Sequence, residues 1–241
     1  HVTTFDQKDS PYHPSIIFFP RKWNGYSYYL AETPFFCGYP PKGNVYRDRF
    51  ECPSIHVSND GIHWIETSKN PIDNLSDSDI SNKDYFSDPH LVFTNNGLEC
   101  WYRINHRYGD YEKENNVLLL RKISRDGIHW GEREIISDLT KSNNPLGNMI
   151  ISPAIIFNQT YHMWYVDSIS HGQRDIAYSS WDTTKWETKK ICKLIGHEIN
   201  PWHIDVSYSD NTYWLVIFDR INLTLWKSSD GLNFYFQKEL L

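Results

Sequence analysis

The sequence predicts an all-β protein, a β-propeller built from four-stranded antiparallel blades, and two repeated patterns support this prediction. The first is the phrase SNDGIHW at 58–64, which returns as SRDGIHW at 124–130 and in altered form as SSDGLNF at 228–234. The second is an apolar strand beginning at a proline, followed by a short turn and an aromatic strand. One unit that returns at roughly 50 to 75 residues is typical of propeller blades.

The seven-residue phrase is predicted to form a β-hairpin. An Asp-Gly pair between two runs of β-forming residues is a strong hairpin signal. The aspartate accepts hydrogen bonds from its own turn, and the glycine takes a positive φ. We expect the tryptophan to pack back on the preceding strand. A weaker copy at 177–186 lacks the glycine. We assign the phrase a structural role, including His63 and His129.

The strand pairs give the order of the remaining elements. Each apolar strand leads into an aromatic one, and the four pairs are HPSIIFF and YSYYLAE, DPHLVF and LECWYR, SPAIIF and YHMWYVD, and PWHIDVSY and YWLVIFD. Four blade motifs therefore fit the chain. Since blade units closely flank even the longest polar run, at 67–86, no linker is predicted, and 1–241 is expected to be a single domain.

Composition excludes several classes of function. The net charge is −6 with no cluster of Lys and Arg, which argues against a nucleic-acid binder. No apolar run approaches 18 residues, so no membrane insertion is expected. Aromatic residues make up 16% of the chain, which favours pleated, half-buried surfaces.

The cysteines and the first residue bear on processing and location. Four cysteines at wide spacing, without a Cys-x-x-Cys pair, argue against a structural zinc site and a disulfide scaffold. A bridge between Cys37 and Cys52 across one loop stays open. The chain opens on His1, which suggests a removed leader or an excised domain. An extracellular or virion-associated location is expected, because the chain lacks a basic patch and is rich in Trp and Tyr.

The order of these motifs resembles a known family. The HP, DP and SP strand starts and the DGxxW turns, across residues 11 to 234, resemble the five-bladed propellers of the glycoside hydrolase 43/32/68 superfamily. The resemblance is closer still to glycosidase-like propeller proteins of phage tails and bacterial exoproteins. It implies a polysaccharide or oligosaccharide ligand. Only four blade motifs are visible, which leaves open a truncated chain, a minimal blade shared by the termini, or a four-bladed ring.

The resemblance also implies catalytic positions. The family has three carboxylates at the starts of three blades, and Asp88 matches the second. His13 and Ser152 stand where the other two acids would be. Because inverting hydrolysis needs two carboxyl groups, relocated acids from adjacent strand ends are needed, such as Glu51 with Asp205. The predicted catalytic residues are Asp88, Glu51, Glu32 and Asp205.

The other polar residues at strand starts and ends are predicted to bind substrate at the same mouth. They are His13, His90, Arg49, Arg103, Ser152, Asp167, Arg174, His203 and Asp219. Two loops, 103–110 and 167–175, are expected to overhang the same mouth and to add His106, Arg107 and His171. The arginines suit an anionic sugar, unless each of them pairs with a neighbouring carboxylate. No cofactor is predicted. The metal alternative is a Zn²⁺ or Fe²⁺ site built from His13, His90 and His203 with Asp88 and Asp205.

Three functions are consistent with these features. The first is a glycosidase-like enzyme that acts on a cell-surface, capsular or wall polysaccharide by carboxylate acid–base hydrolysis. The second is a non-catalytic glycan-recognition propeller, of the phage receptor-binding type, that has lost the catalytic acids. The third is a protein-binding scaffold, which the irregular polar loops fit less well. The missing acids at His13 and Ser152 leave enzymatic activity open.

Overall fold

The computed structural model describes residues 2–5, 10–35, 51–67, 69–106, 117–170 and 172–241, with only the backbone described at 168–170. These residues form seventeen strands and one short helix, arranged as four sheets. The all-β prediction is confirmed. The chain divides into two compact units, His1–Asp138 and Leu139–Leu241, each with two sheets. A single domain over 1–241 stays a prediction.

The first unit contains two antiparallel four-stranded blades, each with its strands in chain order. Blade 1 consists of β1 (Pro11–Trp23), β2 (Tyr26–Pro34), β3 (Ser54–Ser58) and β4 (Ile65–Glu66). Blade 2 consists of β5 (Tyr85–Thr94), β6 (Gly97–Asn105), β7 (Val117–Ser124) and β8 (Glu134–Asp138). Along the chain, the helix α1 (Asp77–Ser81) comes between β4 and β5. It begins with a capping box formed by Ser76 and Asp79. With five residues, this one described helix is far too short to cross a membrane.

The second unit contains the other two blades. Blade 3 consists of β9 (Ile151–Asn158), β10 (Thr160–Ser170), β11 (Gln173–Trp181) and β12 (Lys190–Ile191). Blade 4 consists of β14 (His203–Ser209), β15 (Thr212–Phe218), β16 (Leu223–Ser228) and β17 (Asn233–Glu239). A fifth strand, β13 (Lys193–Ile195), pairs in parallel with β17. It covers the edge that β17 would otherwise expose.

The number of blades differs from the family expectation. Within the described ranges the chain forms four blade sheets, so the five blades implied by the resemblance are wrong for these residues. The four blade motifs predicted from sequence each correspond to one sheet.

Each unit has its own hydrophobic core. In the first unit, Tyr29, Phe86 and Tyr102 are buried within one cluster. In the second, Trp164 and Trp226 are buried in another. Some aromatic residues are therefore fully buried, whereas others, such as Tyr208 and Tyr235, are exposed. Cys52, Cys100 and Cys192 are also buried, whereas Cys37 lies outside the described residues.

The repeated phrase forms the predicted turns. In its first copy, Ser58 Oγ accepts hydrogen bonds from the N–H groups of Asp60 and Gly61 at 3.2 and 3.0 Å. Asp60 Oδ1 in turn accepts from the N–H groups of Ile62 and His63, both at 2.8 Å. The same bonds recur at 124–129 and 228–233. The ring of His63 lies 2.6 Å from Asp60, which agrees with its structural assignment.

Candidate active site

Three residues that precede prolines share an unusual backbone geometry. His13, Asp88 and Ser152 have φ values of 51°, 52° and 49°. A residue before proline normally prefers an extended conformation, and a positive φ is uncommon outside glycine. In each blade the register shifts at this point of the edge strand. Such bulges re-aim side chains and often lie next to active sites.

Asp88 is the centre of a polar cluster in the first unit. Its carboxylate is buried and accepts a hydrogen bond from Nε of Arg103 through Oδ2. The other oxygen, Oδ1, lies 3.5 Å from Nε2 of His13. His13 is itself positioned by Thr33, whose hydroxyl lies 3.2 Å from Nδ1. Strands β1, β2, β5 and β6 thus bring an acid, a base and a fixed positive charge together.

Glu51 contributes to the electrostatics of this cluster. Burial alone would lower the pKa of Arg103, but the charges of Asp88, Tyr85 and Glu51 and the Asp88 hydrogen bond outweigh it and raise that pKa. Glu51 is buried and has a φ of 47°. Two of the predicted catalytic carboxylates, Asp88 and Glu51, are therefore close enough to act on the same guanidinium.

Glu32 has a different environment. It is fully buried, and Oε1 lies 3.0 Å from Nε2 of His56 on the neighbouring strand β3. Its neighbour Thr33 contacts His13, and side chains alternate between the two faces of a strand. Glu32 therefore faces away from His13, and its catalytic role stays a prediction.

His90 contacts a serine of blade 1. Its Nδ1 lies 3.4 Å from Ser15 Oγ, and the same oxygen accepts a hydrogen bond from the N–H of Leu91 at 3.0 Å.

In the second unit, Ser152 joins two blades. Its hydroxyl donates to the carbonyl of Ile204 and accepts from the N–H of the same residue, both at 3.0 Å. The side chain that stands where the family has an acid therefore links β9 to β14. Asp167 is paired with Lys189. Burial raises the pKa of Asp167, and the Lys189 contact only partly opposes this shift.

The remaining predicted residues of this unit lie at the start of β14 and in nearby loops. Asp205 is exposed, and its Oδ1 accepts the N–H of Val206 at 2.9 Å. His203 contacts the Trp202 ring edge-on, with centroids 5.6 Å apart. Asp219 accepts the N–H groups of Ile221 and Asn222 at 2.9 and 2.7 Å. Burial opposes the effect, but these bonds lower the pKa of Asp219.

The structure therefore groups only some of the predicted site residues. Asp88 contacts His13 and Arg103, and the charge of Glu51 acts on Arg103, whereas Glu32, Ser152 and Asp167 have separate partners. The proposed pair of Glu51 with Asp205, and the metal alternative that includes His203, draw on both units and stay predictions. Arg49, Arg107 and His171 lie outside the described residues.

Sequence reasoning missed Thr33, which contacts His13, and it missed Trp202 and Arg220, whose guanidinium carbon lies 3.6 Å from the centroid of the Trp202 ring. Thr33 directly follows Glu32 near the end of β2, and Trp202 directly precedes His203. Both adjoin predicted residues, so adjacency to a strand end was the available signal. Arg220 follows Asp219 in a turn, and no sequence pattern indicated its orientation.

The chain resembles a curated carbohydrate-active protein at low identity. It is 25% identical over 244 residues to a protein of Flavonifractor plautii named A type blood N-acetyl-alpha-D-galactosamine deacetylase. The match covers 83% of this chain, and the chain spans only 30% of that relative. No family model matches the chain.

Solved structures share the fold more fully. An N-acetylgalactosamine deacetylase from F. plautii, crystallised with blood group B trisaccharide, has a TM-score of 0.75 at 21% identity, over 97% of this chain and 71% of that chain. A family 117 glycoside hydrolase from Zobellia galactanivorans has a TM-score of 0.61 at 16% identity, over 95% and 69%. An α-L-arabinofuranosidase from Clostridium thermocellum has a TM-score of 0.57 at 14% identity, over 95% and 72%. These likenesses confirm the glycoside-hydrolase-like propeller fold.

Proposed function

We propose that this protein is a carbohydrate-active hydrolase in which Asp88 is the catalytic carboxylate. The observation that carries the proposal is the position of Asp88 on a strained bulge, buried, and in contact with both Arg103 and His13. Backbone strain and buried charge clusters concentrate at functional sites. The similarity to carbohydrate-active proteins supports a glycan as the substrate.

The chemistry follows from the partners of Asp88. A guanidinium in contact favours the charged form of a carboxylate, which is the form that a general base requires. Asp88 would then activate water, and a second titratable group would protonate the leaving atom. Glu51 and His13 are the candidates within the same unit. This division of roles corresponds to the acid and base of an inverting hydrolase.

Two bonds of a glycan are candidates for cleavage. The family resemblance favours the glycosidic bond of a cell-surface, capsular or wall polysaccharide. The curated relative, by its name, removes an acetyl group from N-acetylgalactosamine, and this favours an acetamide bond as the second candidate. Because such polysaccharides lie outside cells, an extracellular or virion-associated location is part of the proposal.

A non-catalytic glycan-binding propeller is the alternative function. One observation favours it: the Ser152 hydroxyl is committed to both backbone groups of Ile204. The position where the family has a third acid is therefore used for packing. Such a protein would bind glycans through the same residues without turnover.

The test compares the wild-type protein with Asp88→Asn on a glycan screen that scores binding, new reducing ends and released acetate. We expect wild-type turnover, and a loss of about 10²–10⁴-fold in the variant with binding retained. Asp210→Asn, at an exposed turn, is the matched control and should keep full activity. A melting curve verifies that each variant is folded.

The outcomes separate the functions. Reducing ends indicate glycosidic cleavage, and acetate indicates deacetylation. Unchanged turnover in Asp88→Asn would overturn the catalytic role of Asp88. Binding by all three proteins with no product from any would favour the recognition function.

A further inference from the structure

Two arginines of the second unit are stacked on one tryptophan. The guanidinium carbons of Arg174 and Arg220 lie 4.3 and 3.6 Å from the centroid of the Trp202 ring. Arg174 belongs to β11, Trp202 directly precedes β14, and Arg220 lies in the turn between β15 and β16. Three separate segments thus deliver two positive charges to one place.

The backbone around this cluster is held in place. The N–H of Arg174 donates to Oδ1 of Asn200 at 3.1 Å, and Nδ2 of Asn200 donates to the carbonyl of Gly172 at 3.0 Å. The N–H of Trp202 donates to the carbonyl of Phe218 at 2.9 Å. Arg220 has a φ of 88°, a strained value for a residue other than glycine. The fold therefore positions these side chains at some conformational cost.

Neither guanidinium has a carboxylate partner within the described part of the chain. By contrast, Arg103, Arg121 and Arg133 each contact an aspartate or glutamate. The Nε of Arg174 is buried and has no hydrogen-bond acceptor among the described residues. Burial, together with the charge of Arg220, lowers the pKa of Arg174. Two like charges and an unused donor are thus brought together in a chain whose net charge is −6.

We propose that Arg174, Trp202 and Arg220 form a subsite for an oxyanion carried by a glycan, such as the carboxylate of a uronic or sialic acid or a sulfate or phosphate ester. A guanidinium presents paired N–H donors that match such groups. The anion would accept hydrogen bonds from the guanidinium groups and offset the repulsion between their two positive charges. Trp202 keeps both guanidinium planes oriented through cation–π contact. The inference rests on the proposed function only in taking a glycan as the ligand.

The test measures binding of acidic oligosaccharides (uronate, sialylated, sulfated and phosphorylated), each beside its neutral counterpart. Titration calorimetry compares the wild-type protein with Arg174→Gln, Arg220→Gln and Arg125→Gln. Arg125 is exposed in the first unit, so its loss changes net charge equally without touching the cluster. We expect at least one acidic ligand to bind more tightly than its neutral form. Its affinity should fall at least tenfold in both cluster variants and stay unchanged in Arg125→Gln.

Two further measurements identify the source of the anion and show whether the variants are folded. Inorganic phosphate and sulfate should compete weakly, and if either binds as tightly as the oligosaccharide, the glycan assignment is wrong. The acidic ligand should raise the Tm of the wild-type protein by mass action but not that of a double variant that combines Arg174→Gln with Arg220→Gln. The Tm of this double variant without ligand reports whether it is folded. No preference for any acidic ligand, or equal affinities in all variants, would overturn the subsite. Turnover through Asp88 is scored separately, so either proposal can fail alone.

Discussion

At the residue scale, one backbone conformation is combined with three different side chains. His13, Asp88 and Ser152 share a positive φ before a proline, yet their contacts differ. Asp88 accepts from Arg103, His13 lies between Thr33 and Asp88, and Ser152 binds the backbone of Ile204. The bulge therefore provides the position, and the side chain decides between chemistry and packing.

The hydroxyl of Ser152 should contribute measurably to stability. In Ser152→Ala, the buried N–H and C=O of Ile204 lose their partner. Leaving a buried polar group unsatisfied costs about 1–3 kcal/mol. We expect a fall of that size in the free energy of unfolding, measured by urea denaturation. Ser152→Gly is the control for strain, because glycine adopts this φ freely and should be less destabilised. If alanine matched the wild type, the link between β9 and β14 would carry no stability.

At the scale of the element, the Asp-Gly turns also pack against neighbouring blades. Within the first unit, Gly127 lies against Tyr29 and Trp23, so that an added Cβ would lie 2.4 Å from Tyr29 Cε1. Within the second unit, the carbonyl of Gly231 accepts from Trp164 Nε1 at 2.7 Å. Each of these two turns thus joins a later blade to the aromatic strand of the preceding one.

Gly127→Ala should therefore destabilise the protein more than the backbone alone explains. Gly127 has a φ of 75°, whereas Gly25 has a φ of 91° and open space around its Cα. Gly25→Ala measures the conformational cost, about 1 kcal/mol. Overpacking adds about 1–3 kcal/mol, so Gly127→Ala should lose that much more in urea unfolding. Equal losses would mean that Tyr29 and Trp23 move aside freely.

The sequence predicted these turns because their bonds are local. Ser58, Asp60 and Gly61 lie within four residues, so the pattern contains the whole hydrogen-bonding scheme. β13 could not be predicted, since it has only three residues and pairs with β17, the last strand of its unit. The same distinction holds at the site. Asp88 is marked by its proline, whereas the stacking of Arg220 on Trp202 depends on a positive φ that no motif indicates.

At the scale of the whole molecule, both units contain turn aspartates whose pKa values are lowered by hydrogen bonds. Hydrogen bonds from the ring and backbone of His63 lower the pKa of Asp60 well below its usual range. The backbone N–H groups of Asn233 and Leu232 do the same for Asp230. Burial opposes the shift at Asp126, but donors from His129 outweigh it. In blade 3, Thr184 and Lys185 lower the pKa of Asp182 to about 2.

These shifts predict how stability depends on pH. A group whose folded pKa is lowered stabilises the fold above its unfolded pKa, about 3.9 for aspartate, and that contribution is lost as the pH falls through the folded pKa. The unfolding free energy should therefore decrease from about pH 5 to pH 2, since the unfolded chain binds more protons. Urea unfolding across this range measures the slope. In the triple variant Asp60→Asn, Asp126→Asn and Asp230→Asn the slope should be shallower, whereas in Asp210→Asn it should be unchanged. A triple variant with the wild-type slope would assign acid sensitivity to other carboxylates, such as the buried Asp88.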